Sequence, residues 1–302
     1  MRRAVQVGRG DLVLIAVAVA AVSTSAPLIR EAEAPALAIA FWRNALAIAV
    51  LAPVCAIRRR EEIARLDRRR TGGCLLAGLF LSAHFATWVP SLSFTTIASS
   101  VALVATQPVW AALMARVRGD EVPRQVWLGI GVAVAGAVTL TGVDVALSTR
   151  AFVGDLLALA GGILAAAYVT VGGAVRQTTS TTLYTTICYA TAAIALGLAC
   201  LGGGLAVSGY DGRTWICLIA LTAGPQLLGH SVVNRVLRTT SATVVSVAIL
   251  FEIVGSTLIA WAAFGETPPA GAYPAAVLIA AGTVLVVLAG RPGAAPLAPA
   301  VD

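Results

Sequence analysis

Glu252 stands near the middle of an apolar run spanning residues 239–264, where few neighbours carry any charge. An ionised group at membrane depth costs about 2.5–3.5 kcal/mol or more, so such a residue must be neutralised, paired or hydrated. Two chemistries fit: a protonatable or amine-binding carboxylate facing a cavity, or a protonated, hydrogen-bonded packing residue. Other polar groups recur at helical spacing. Gln226, His230 and Asn234 repeat every four residues, as do His84 and Trp88, so each set shares one helix face. Thr96, Ser100 and Gln107 form another stripe at i, i+4 and i+11. Helices surrounded by lipid have no use for aligned polar stripes, so these faces turn inward, toward a cavity or toward hydrogen bonds with other helices. Tyr168 is the one large aromatic side chain within its apolar run, 152–175, beyond Phe152 at the run's first position.

Three further charged residues read as structural. Glu121 and Glu266 each precede a proline-led helix start (Val122-Pro123, Thr267-Pro268), where a carboxylate meets the positive end of the helix dipole. Arg43 lies some eight residues into its run, about 12 Å at helical rise, within reach of helix-terminal carbonyls or the membrane boundary. Catalytic signatures are missing: no H-E-x-x-H, no G-x-S-x-G and no phosphate-binding glycine loop. Cys55, Cys74, Cys188, Cys200 and Cys217 lack ligand spacing and read as small apolar residues. No catalytic residue, metal site or cofactor is expected.

The elements that position these groups follow from composition. Of 302 residues, 59% are hydrophobic and 12% charged, about half the charged fraction of a soluble domain. Apolar runs fall at 11–30, 35–57, 72–91, 94–117 and 125–145, then at 152–175, 181–202, 213–235, 239–264 and 273–290. Each is long enough to cross a bilayer, and lipid leaves helices as the way to satisfy their backbones. The basic start and small residues of Met1–Ala26 mimic a signal peptide, but the matching run at 152–175 argues for a retained first helix. All basic residues are arginine, and their placement sets the orientation: seventeen of the 21 fall on one side of ten alternating spans and three on the other. The expectation is a multi-pass protein of the plasma (inner) membrane with both termini cytoplasmic. A net charge of +7 distributed in this way points to a membrane surface and not to nucleic acid.

The chain also repeats itself. Gly10-Asp11-Leu12 opens the first run and Gly154-Asp155-Leu156 the sixth, 144 positions later; Thr95-Thr96 and Thr239-Thr240 keep that offset. His84 pairs with His230 at 146, and Gln107 precedes Glu121 by fourteen residues, as Glu252 precedes Glu266. The fold expected is all-α, with ten transmembrane helices as two five-helix repeats, at 1–150 and 151–302. An odd helix number inverts the second copy, an architecture that places a substrate near the midplane and lets the halves exchange conformations.

With these residues in place, the chain resembles the drug/metabolite transporter superfamily, specifically its EamA-like ten-helix members. The resemblance runs over residues 11–290 and is carried by Gly229–Arg238, Thr239–Ser246, Phe251-Glu252-Ile253-Val254 and Gly265-Glu266, with Pro35, Arg43, Gln107-Pro108-Val109 and Glu121 in the first repeat. Relatives often carry Glu-Pro where this chain has Glu252-Ile253, and a tryptophan in the first helix of each repeat, for which Tyr168 is the candidate replacement. The resemblance implies a secondary exporter of small metabolites such as amino acids, working by alternating access. Its partners would be a small-molecule substrate and membrane lipid, with a homodimer an allowed assembly. A passive channel, a scramblase and an intramembrane enzyme are the competing readings.

Overall fold

The structure is a computed structural model that describes residues 9–229, 232 and 248–289. Its described elements are helical. The first span is α1 (Arg9–Ser23) continued by α2 (Ser25–Glu31), with a break at Thr24 whose hydroxyl donates to the Ala21 carbonyl at 2.7 Å. α3 (Ala36–Arg58) leads through a short surface helix, α4 (Arg60–Ala64), to α5 (Arg68–Ser91). α6 (Ile97–Val104) and α7 (Gln107–Val117) share the fourth span, offset at Ala105–Thr106 just before Pro108, which has no N–H to continue the ladder. α8 (Arg124–Leu147) and α9 (Thr149–Val175) are separated only by Ser148, and α10 (Thr181–Gly202) follows. α11 (Gly212–Leu221) runs on as a π-helical segment, Thr222–Gly229, around Pro225. α12 (Phe251–Phe264) and α13 (Ala272–Ala289) complete the described elements.

Helix starts follow local chemistry. Asp67, Thr96, Ser180 and Asp211 each accept the backbone N–H three residues on, satisfying a donor that the first turn leaves without a partner. Those bonds from Thr214 hold the Asp211 carboxyl below the usual aspartate range. α12 stops at Gly265, whose φ of +65° is a conformation that favours glycine.

Among the described residues eight helical stretches are long and apolar enough to cross a membrane, and α12 is a shorter apolar helix. Large apolar side chains at Leu12, Val50, Leu128, Leu198, Ile216 and Val277 are exposed, as lipid-facing positions require. The five cysteines are buried and free.

Span-to-span packing has the symmetry of an inverted repeat. α5 packs on α9 and α1 on the π-helical segment, that is, span three on six and one on eight. Exchanging the two halves of the chain turns the first pair into the second. Of the other pairs, α3 with α10, α6 with α12 and α8 with α13 each map onto themselves, while α5 also packs on α10 and α6 on α9. The α8–α13 pair is the most intimate. A Cβ on Gly282 would lie 2.6 Å from the Gly129 carbonyl oxygen, and one on Gly136 would lie 2.7 Å from the Ile279 nitrogen. Glycine there lets two backbones touch, the small-residue mode of packing in lipid.

Candidate functional site

A fully buried polar assembly inside the bundle is built around Arg43, about 10 Å along α3 from Ala36 at helical rise. Its Nε donates to Gln226 Oε1 at 2.5 Å. Gln226 Nε2 donates to Asn44 Oδ1 at 3.2 Å, and Asn44 Nδ2 to the Ala40 carbonyl at 2.8 Å. The guanidinium carbon sits 4.3 Å from the centre of the Phe85 ring on α5, within cation–π range. Arg43, Asn44 and Gln226 are 3%, 0% and 2% exposed, so this network lies out of contact with water and lipid alike.

The π-helical segment is what delivers Gln226. Pro225 removes a backbone donor inside that stretch, and the chain takes up the defect as wide turns. Such defects recur at functional positions because they re-aim a side chain.

Two further groups bear on Arg43. Glu252, in the first turn of α12, and Tyr189 on α10 are the groups that bear on it electrostatically. Glu252 does not close an ion pair with Arg43 among the described residues, and Arg43 Nη1 is buried there without a hydrogen-bond partner. A buried guanidinium nitrogen without an acceptor, beside a carboxylate it does not touch, leaves a donor and an acceptor available to a third party.

The other expected residues divide. Gln226 and Glu252 join the Arg43 cluster. His84 turns the other way along α5: Nδ1 lies 2.9 Å from the Gly161 carbonyl on α9, and its ring stacks on Trp88 at 5.6 Å. Trp88 Nε1 is buried without a partner among the described residues. Ser100 makes a 2.7 Å hydroxyl–hydroxyl bond to Ser91, tying α6 to α5, and Ser91 donates onward to the Trp88 carbonyl at 2.6 Å. Tyr168 stacks on Tyr184 of α10 with ring centres 6.2 Å apart. Gln107 is half-buried at the start of α7. His230 and Asn234 lie outside the described residues.

Arg43, expected to serve structure, is thus the centre of the cluster. Asn44, Phe85 and Tyr189 are the members that sequence reasoning missed. Arg43-Asn44 is an adjacent polar pair inside an apolar run, a signal that was open to reading; Phe85 and Tyr189 look like any core aromatic.

One end of the bundle is bolted across its width. Glu266 Oε2 pairs with Arg30 Nη1 at 3.0 Å, and Glu266 Oε1 accepts the Ile97 N–H at 2.6 Å. Glu266 therefore sits at a helix N-terminus, that of α6 in the other repeat and not that of the following helix. Arg30 Nη2 donates to the Thr95 carbonyl at 2.9 Å, and the Thr95 hydroxyl to Asp155 Oδ1 at 2.9 Å. Arg150 reaches the Ser93 carbonyl at 2.8 Å, and Glu31 pairs with Arg213. Glu121 is exposed just before α8.

Comparison with known proteins gives the following. The sequence profile of the EamA-like transporter family matches the chain twice, over residues 9–142 and 152–288. A solved structure described only as "Crystal structure of protein" superposes with a TM-score of 0.64 at 19% identity, over 94% of this chain and 99% of its own. No curated protein sequence matches the chain.

Proposed function

This chain belongs to the EamA-like transporter family and is therefore a multi-pass membrane transporter; from that premise we propose that it is a secondary carrier exporting small zwitterionic metabolites, amino acids first among them, by alternating access of its two repeats. The observation that carries the substrate class is the unpaired geometry at the centre. Among the described residues Arg43 Nη1 is buried with no acceptor, and Glu252 does not pair with it. A carboxylate and an ammonium on one small molecule would supply both missing partners. Phe85 and Tyr189 would pack on its carbon skeleton.

Export fits the arrangement of the ends. The bolted end, at Arg30, Ser93–Ile97, Arg150, Arg213 and Glu266, is the side that arginine placement assigns to the exterior of an inner-membrane protein with cytoplasmic termini. A carrier resting with that side shut collects its cargo from within.

The test is counterflow in proteoliposomes across a panel of amino acids and other metabolites. Saturable uptake, stimulated by substrate on the opposite side and abolished in Glu252→Gln at unchanged folded yield, is the expected result. Flux without such stimulation would make the protein a channel or scramblase. Chemical turnover of a panel member without transport would make it an enzyme.

A further inference from the structure

At the end of the bundle opposite the bolts, a cavity of about 550 Å³ opens between α3–α5 of the first repeat and α9–α10 of the second. Six arginines line it: Arg58, Arg59, Arg60, Arg65, Arg70 and Arg176. Among the described residues the lining itself carries two carboxylates, Glu61 and Glu62, and Asp67 pairs with Arg70 from beside it. Glu62 is already engaged, accepting the Ser180 N–H at 2.7 Å where α10 begins. Glu61 reaches Arg65 at 4.0 Å with both side chains about three-quarters exposed or more, a contact that neutralises little. Arg70 and Arg176 build the wall: Arg70 pairs with Asp67 at 3.4 Å and donates to the Thr178 carbonyl at 3.3 Å, while Arg176 donates to Thr181 Oγ1 at 3.3 Å. Arg58, Arg60 and Arg65 are exposed at its mouth.

Depth matters as much as charge. Arg58 ends α3, Arg70 lies in the first turn of α5, Arg176 follows α9 and Ser180 precedes α10. Four spans therefore terminate around the cavity, which puts it at the level where hydrocarbon gives way to headgroups. Ile57, also in its lining, is 76% exposed, and Val54 one helical turn deeper is exposed too. An apolar apron thus descends from a basic bowl.

Guanidinium groups bind phosphate oxygens with paired N–H donors. We propose that this cavity binds the phosphodiester headgroup of an anionic phospholipid, its acyl chains lying along the Ile57 side of α3, so that one lipid bridges both repeats. A free phosphate ion offers the same oxygens but would use neither the volume nor the apron.

The purified full chain in detergent is the sample, and its thermal stability and retained lipid by native mass spectrometry are the readouts, both independent of transport. Phosphatidylglycerol, phosphatidylcholine and inorganic phosphate are added separately. Phosphatidylglycerol raises Tm and is retained; phosphatidylcholine does neither. The Arg58→Gln/Arg60→Gln/Arg65→Gln variant folds with unchanged Tm in phosphatidylcholine and binds phosphatidylglycerol more weakly by on the order of 100-fold. A control variant at the same end, Arg116→Gln/Arg118→Gln/Arg124→Gln, keeps full affinity. Should the triple variant not fold, Arg58→Gln and Arg60→Gln singly carry the same comparison. Equal losses in both triple variants would mean diffuse surface attraction and overturn the site. A full Tm shift from inorganic phosphate alone would overturn the lipid assignment in favour of a soluble ion.

Discussion

Replacing Arg43 by glutamine isolates one half of the proposed recognition. The substitution removes the Nη1 donor and the positive charge but keeps an amide that can face Gln226. A hydrogen bond between charged partners contributes about 1.5–3 kcal/mol net, so the wild-type protein should prefer an amino acid over its carboxamide by about 10- to 150-fold. In Arg43→Gln that preference should vanish, because the amide substrate loses nothing the variant still offers. The assay is competition for counterflow by the two ligands in wild type and variant, completing a double-mutant cycle between protein and ligand. Folding is controlled in the same comparison. The variant also loses its contact with the Phe85 ring, but it no longer buries an incompletely partnered charge, so folded yield should hold. A preference for the free acid that survives in Arg43→Gln would refute the assignment, because the carboxylate would then be read elsewhere.

Two structural predictions can be checked alongside it. Glu266→Gln weakens both the pair with Arg30 and the cap on Ile97, which should cost about 1–2 kcal/mol and lower Tm by roughly 2–6 °C; an unchanged Tm would mean that the bolt contributes nothing. Gly282→Ala forces a methyl toward the Gly129 carbonyl and the Ala133 backbone and should destabilise by about 1–3 kcal/mol, whereas Gly131→Ala, which meets open space, should be neutral or slightly stabilising. Equal Tm values for those two alanine variants would remove the close-packing argument.

Apolar runs were legible in the sequence because lipid imposes one rule on every residue of a span, and the run ends that fall on described residues lie within a few residues of the helix ends, whereas the end of 213–235, the start of 239–264 and the end of 273–290 lie outside the described residues. The repeat was legible too, since motifs such as Gly10-Asp11-Leu12 and Gly154-Asp155-Leu156 keep their order and spacing. What did not show was the interior of each span. The break at Thr24, the offset before Gln107 and the π-helical turns around Pro225 are settled by packing, and proline alone does not say which distortion the helix will adopt. Periodicity found the polar faces but not what they meet. Ser100 shares a stripe with Gln107, yet its hydroxyl is satisfied by Ser91, a contact nine residues back that depends on the angle between α5 and α6. By itself Arg43 reads as a structural side chain able to reach helix-terminal carbonyls or the membrane boundary, and nothing in α3 announces that Gln226, from the other repeat, comes to meet it.

The glycine-lined seam between α8 and α13 joins the last helix of each repeat. Where side chains interlock, turning one helix against another means lifting knobs out of holes. Here Gly129, Gly136 and Gly282 bring smooth backbone against smooth backbone. Small rotation costs such a contact little, while separation forfeits all of it at once. On the alternating-access proposal, the seam would serve as a pivot, holding the halves together while the opposite flank of the bundle swings.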